Sequence, residues 1–235
     1  VKGSKALRWL WLPFALFALV EAAFFAANAT KVVGGGWFPL AIGLVIFTLL
    51  TTWKRGRELL LQRMQSDDID LTTFIEGIIS FEHQRVPGTA IFLHATGKGV
   101  PHALLHNLSH NKVLHERVVI LRAITEEVPS VPDAERIHLT ELGSGFYRLE
   151  IRFGFREEPD IPKALQLCDA LGLHFAMMET SFFLSRETLI PTKMPGMALW
   201  RENIFAAMAQ NAESAMRFFK LPVNRVVELG TQIEI

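Results

Sequence analysis

His102, His106 and His110 recur at every fourth residue, with His115 just beyond. On a helix this spacing stacks them along one face, and imidazoles at i and i+4 can chelate zinc. No carboxylate or cysteine stands at ligand spacing beside them, and Asn107 and Asn111 are interleaved instead. The stretch therefore reads as a hydrogen-bonding polar face against a partner surface, and no metal site is expected. A second candidate is Ala95-Thr96-Gly97-Lys98-Gly99, placed between an expected strand and an expected helix. A helix N-terminus at that edge of a parallel sheet attracts phosphate, which would make Lys98 a ligand-binding or regulatory residue. The segment matches neither GxxxxGK[ST] nor GxGxxG, so a flexible surface turn is the competing reading. The third candidate is Glu21, the one charge in the apolar run Trp9–Asn28. A carboxylate inside hydrocarbon is costly, so it reads as a proton or ion relay, or as a neutral acid bonded to a neighbouring helix or facing an aqueous cavity. No polar partner stands at its i±3 or i±4 positions, which favours the neutral acid. Ser185 and Thr188 lie in no nucleophile motif. The pairs Glu126-Glu127 and Glu157-Glu158 lie near Pro129 and beside Pro159, in what reads as solvated loop. Without a cleft, adjacent carboxylates do not make acid–base chemistry, so no enzyme and no cofactor are expected.

These candidates hang from a membrane segment. Two apolar runs, Trp9–Asn28 and Trp37–Trp53, are separated by Ala29–Gly36. At 1.5 Å per residue the first spans roughly 30 Å, a bilayer's hydrocarbon thickness, and the second roughly 25 Å. Only helices and closed barrels satisfy their backbones in lipid, and neither run alternates as barrel strands do. The expectation is a helical hairpin with spans at about 9–30 and 35–53. Lys2, Lys5 and Arg8 precede the first run, and Lys54, Arg55, Arg57 and Arg63 follow the second; the loop holds Lys31 alone. The positive-inside rule puts both ends in the cytoplasm. Trp9, Trp11, Trp37 and Trp53 fall where indoles favour the headgroup region.

Formal net charge is zero, yet residues 1–63 hold eight Lys/Arg and two acidic residues, while the rest is mildly acidic. Basic residues after Met64 form no stripe, which argues against a nucleic-acid partner. Cys168 is the single cysteine, consistent with a reducing compartment. The start at Val1 reads as the interior of a longer membrane protein rather than as a signal peptide.

Residues 1–57 are thus read as two transmembrane helices with an external loop, 58–82 as cytosolic linker helices and 83–235 as a cytosolic mixed α/β domain. The second span is expected to continue as a cytosolic helix to Ser66-Asp67-Asp68. Asp70 is placed to cap a helix over Leu71–Phe81. Arg85–His94 and Arg117–Ile124 contain continuous apolar runs of the kind buried on both faces, and Pro101–Val113 between them reads as a helix, making a parallel βαβ unit. Glu135–Leu142 and Phe146–Phe155 alternate about Gly143-Ser144-Gly145, an antiparallel hairpin. Asp160 is placed to cap a helix ending at Gly172. Thr180–Leu184 reads as a short strand, Ala198–Phe219 as one long amphipathic helix and Val223–Ile235 as a strand.

Several strings carry a family likeness. GGWFPLAIGLVIFTLLTTWKRGR (Gly35–Arg57) resembles the last transmembrane helix of the KUP/HAK/KT potassium uptake permeases. RVPGTAIFL (Arg85–Leu93), ALLHNLSHNKVLHERVVIL (Ala103–Leu121), TSFFLSRETL (Thr180–Leu189) and NRVVELGTQIEI (Asn224–Ile235) resemble that family's C-terminal region. The likeness covers nearly the whole chain. It departs at His102 and Ser109, which weakens a metal reading of that helix further. The resemblance implies a multi-pass transporter of the cell inner membrane with a LeuT/APC-like bundle, importing K⁺ usually with H⁺. This chain would supply its last two spans and cytosolic domain. The ion site would lie in upstream spans, so no ion-binding residue is carried over, although acidic residues in the family's penultimate span keep Glu21 a candidate. The resemblance also implies dimerisation, gating or regulation for the cytosolic domain, with a homodimer and a cyclic dinucleotide near Gly97 as partners to consider. The alternative is a membrane-tethered nucleotide-sensing domain without transport of its own.

Overall fold

The computed structural model describes residues 3–66, 69–79, 84–95, 99–192 and 196–235. They fall into two compact units, Val1–Lys54 and Arg55–Ile235. In the first, helix α1 (Gly3–Ala29) is followed by a π-helical turn, Val32–Gly36, and by α2 (Trp37–Ser66), whose last residues belong to the second unit. The turn ends in Gly34, Gly35 and Gly36, of which Gly35 takes φ +132°, a conformation that side chains resist. Phe17, Phe25, Leu44 and Phe47 of the two helices turn their side chains outward. Thr48 and Thr51 donate their hydroxyls to the carbonyls of Leu44 and Phe47, both at 2.8 Å, so these side chains carry no unsatisfied donor into an apolar setting. Among the described residues one helical stretch, Val32–Met64, is long and apolar enough to cross a membrane, and α1 contributes the shorter apolar stretch Pro13–Ala29. The helix of the second run continues through the charged Lys54–Arg63 to Ser66, the extent expected from the sequence.

The second unit is a mixed α/β domain. After the end of α2 come α3 (Leu71–Ile79), β1 (Gln84–Leu93), α4 (His102–Asn111), β2 (Val113–Glu126), α5 (Asp133–Arg136), β3 (Ile137–Gly143) and β4 (Phe146–Gly154). Then follow α6 (Ile161–Leu165), a 3₁₀ turn over Gln166–Leu171, β5 (Thr180–Ile190), α7 (Leu199–Gln210), α8 (Ala215–Phe218) and β6 (Val226–Glu234). The six strands form one sheet in the order β3-β4-β2-β1-β5-β6, parallel throughout except for β3, which pairs antiparallel with β4. The expected βαβ unit is present, with Ala90 through Leu93 paired to Val118 through Leu121.

Both faces of the sheet are covered, which is why its central strands read as unbroken apolar runs. One face sets Ile91, Val119, Leu121, Leu149 and Phe182 against Ile161, Leu165 and Cys168. The other sets Ala90, Phe92, Val118, Ile120 and Phe183 against Leu71, Ile75 and Ile78 of α3 and Ala103 and Leu104 of α4. The expected caps form: Asp70 accepts from the Thr73 amide at 3.0 Å, and Asp160 from the Lys163 amide at 2.9 Å. Gly172 closes the α6 segment at φ +82°.

Two expectations are corrected. Ala198–Phe219 is not one helix: α7 stops at Gln210, where the Asn211 side chain donates to the Ala207 carbonyl at 2.8 Å, and Ser214 starts α8 by accepting from the Arg217 amide. The strand at Thr180 runs to Ile190 rather than Leu184, because β6 pairs along Phe182–Ile190 and supplies hydrogen-bond partners there. The expected end of α3 at Phe81 lies outside the described residues.

Candidate functional site

β1 has β2 on one side and β5 on the other, so the chain's strand order reverses at β1. The crevice beyond the carboxyl ends of the strands at such a reversal is the usual ligand position in open parallel sheets. β1 ends there at Leu93, and Lys98, the ligand candidate of the segment that follows, lies outside the described residues. Its flanks are fixed: the His94 amide donates to the Leu121 carbonyl at 2.8 Å, and the Val100 amide to the Ile69 carbonyl at 3.1 Å.

The histidines of α4 do lie along one face, and the rings of His106 and His110 stack with centroids 5.8 Å apart. Among the described residues no group of three or more His, Cys, Asp or Glu side chains is arranged to hold a metal ion. The interleaved asparagines do structural work instead. Asn107 is buried and donates to the Val113 carbonyl at 3.1 Å, while accepting from Asn111 at 2.8 Å, which locks α4 onto the start of β2. His115 faces the edge of Phe183 at 5.8 Å, and burial pushes its pKa down. Glu21 is exposed on α1.

The strongest electrostatics lie where the sequence reading placed a solvated loop. The Glu157 carboxylate accepts from Arg136 at 2.8 and 3.0 Å and from the Gly154 amide at 2.6 Å. These bonds, with the Arg136 guanidinium foremost, hold its pKa down at about 2. Arg136 also pairs with Asp133 at 3.1 Å and lies over the Phe153 ring at 5.6 Å. Glu158, beside it, pairs with Lys220, and Glu126 with Arg152 at 3.6 Å. A cavity of about 420 Å³ opens beside this cluster, lined by Asp133, Arg136, Glu157, Asp160, Lys163 and Gln166 among others. No local pattern announces the pair, since Arg136 and Glu157 are brought together by the β3–β4 hairpin and the turn after it. Arg85 plays a similar part at the other end of the sheet, donating to the carbonyls of His115, Glu116 and Ser144 at 3.1, 3.2 and 2.9 Å.

A third cluster surrounds the end of α2 inside the second unit. Leu59 and Leu60 are buried, and Gly56 lies against Phe205 of α7. Arg57 acts electrostatically on Glu187 of β5, as does His102, while burial pushes the Glu187 carboxyl upward. Glu202, on the α7 face that also buries Phe205 and Ala206, is fully buried, and neither carboxylate oxygen has a hydrogen-bond partner among the described residues. Sequence reasoning passed over this cluster; its one local signal was a glycine inside a helix.

Comparison with known proteins follows the same two-part division. The family model described as the K⁺ potassium transporter integral membrane domain matches residues 2–58, and that of the K⁺ potassium transporter C-terminal domain matches residues 87–235. A probable potassium transport system protein Kup 2 of Rhizorhabdus wittichii is 54% identical over 94% of this chain and 34% of its own length. One from Myxococcus xanthus is 54% identical over 97% of this chain and 35% of its own length. One from Novosphingobium aromaticivorans is 57% identical over 94% and 34%. By their names these relatives are transport proteins rather than enzymes, and the chain spans about a third of their length. No solved structure matches the chain.

Proposed function

We propose a function from one premise: the chain belongs to the K⁺ potassium transporter family. It is then the C-terminal part of a permease that imports K⁺ across the cell membrane, with H⁺ as the coupling ion and no cofactor. The observation that carries this reading is the order of the two matches, a membrane-domain model followed by a C-terminal-domain model, over a membrane-length helix that leads into an α/β unit. In this reading α1 and α2 form the last hairpin of a LeuT/APC-like bundle whose ion site lies in upstream spans. The basic residues flanking the two runs support a topology with both ends inside. The membrane potential favours inward K⁺ by roughly 2.3 kcal/mol per charge per 100 mV, and a cotransported proton adds its own gradient. In this reading the role of the α/β unit is to regulate the membrane part.

The test is K⁺ uptake in a strain lacking its own K⁺ systems, comparing the protein that includes the upstream spans with a version ended after Arg57. The intact protein should restore growth at low K⁺, and the shortened one should differ in rate or in its response to external conditions. No uptake by the intact protein overturns the transport reading. Equal behaviour of the two forms overturns the regulatory role of the α/β unit.

A further inference from the structure

Gly56 lies inside a helix of 30 residues, where alanine is the better helix former. A Cβ built there would stand 2.4 Å from Cγ and Cδ2 of Phe205 and 2.6 Å from Cδ1. These atoms include the root of the ring, and Phe205 is fully buried, so the ring has nowhere to turn. One turn further along α2 the arrangement is reversed: a Cβ on Gly196 would stand 3.0 and 3.1 Å from the two methyls of Leu59. The end of α2 and the α7 segment thus each offer a glycine notch, and each fills the other's with a large side chain. The partners continue inward, since α7 packs on β5 and β5 pairs with the central strand β1. Arg57, next to the notch, acts on Glu187 of the same β5.

We propose that this reciprocal notch, Gly56 with Phe205 and Leu59 with Gly196, is the contact through which the α/β unit acts on the last membrane helix. It rests on the transport reading above and names the contact that regulation would use. A contact lying between two elements does not by itself carry coupling, and a double-substitution cycle reads it directly. The protein including its upstream spans is placed in membrane vesicles as G56A, F205A and the double variant. Two properties are read: tryptic cleavage after Arg57 and Arg63, and the dependence of K⁺ uptake rate on external K⁺. Overpacking by one methyl in G56A should speed cleavage about tenfold and shift KM or the maximal rate several-fold. Adding F205A, which removes Cγ and both Cδ atoms from the notch, should return both properties toward those of F205A alone. The proposal is overturned if G56A cleaves and transports as the unsubstituted protein does, if cleavage rises with uptake unchanged, or if F205A restores neither property. Absent uptake by the unsubstituted protein would overturn the transport reading alone, because the cleavage arm still reports whether the notch exists.

Discussion

Glu157 and Glu21 are both carboxylates, and their surroundings differ. Glu157 is held below the ordinary carboxylate range, from 4.5 to about 2, by Arg136 and two backbone amides. A depressed folded-state pKa contributes stability that is present above the unfolded value and lost as pH falls from about 4.5 towards 2. E157Q should therefore lower stability by about 2–3 kcal/mol at neutral pH and flatten the acid limb, read by thermal unfolding of the protein in detergent across pH. An acid limb as steep in E157Q as in the native protein would place the effect elsewhere. Glu21 sits in an apolar run with no polar neighbour at helical spacing. In the transport reading it is the proton-carrying candidate of this chain, so E21Q should flatten the dependence of K⁺ uptake on external pH; unchanged uptake across pH removes it from the proton path. The single thiol does neither kind of work: burial pushes Cys168 up to about 11, which leaves it a core side chain.

Helix starts and hairpin turns were legible one residue at a time, because their chemistry is local. Asp70 and Asp160 cap where their spacing says they should, and Gly143-Ser144-Gly145 turns the β3–β4 hairpin with all three residues at positive φ. Gly145 carries a further demand that spacing does not reveal. A Cβ there would stand 2.4 Å from the Glu116 carbonyl oxygen, and its φ is +79°. G145A should cost roughly 2–3 kcal/mol and loosen the end of β2, seen as a lowered unfolding temperature and faster amide exchange at Glu116 and Val118. Exchange matching the native protein would show that the Glu116 carbonyl can move aside. The break between α7 and α8 escaped the sequence reading because the apolar period runs straight through Asn211–Ser214. What stops the helix is one amide side chain folded back on its own turn and one serine cap, signals weaker than the period they interrupt. The Arg136–Glu157 pair escaped for a different reason, since its partners meet only once β3 has folded back along β4.

For the whole molecule, the division into a membrane part and an α/β part was legible from composition alone, since apolar runs and charge asymmetry need no tertiary information. The neighbours of β1 and β2 followed from continuous apolar runs and a helix of fitting length between them. The place of β5 did not. Nothing near Thr180 says that it returns to lie beside β1 rather than extending the sheet past β4, and that return creates the strand reversal at β1. The seat of α2 was equally hidden, because Lys54–Arg63 reads as a charged surface helix while Gly56, Leu59 and Leu60 are its buried stripe.

That return of β5 also orders events in time. A chain emerging from the ribosome presents β1 and β2 together, and their pairing can form at once. The other edge of β1, with Ala90, Ile91 and Phe92 on it, waits until the whole stretch through β3, β4 and α6 has been synthesised and β5 arrives. During that interval an apolar strand edge stands open, the condition under which nascent chains stick to one another or require a chaperone.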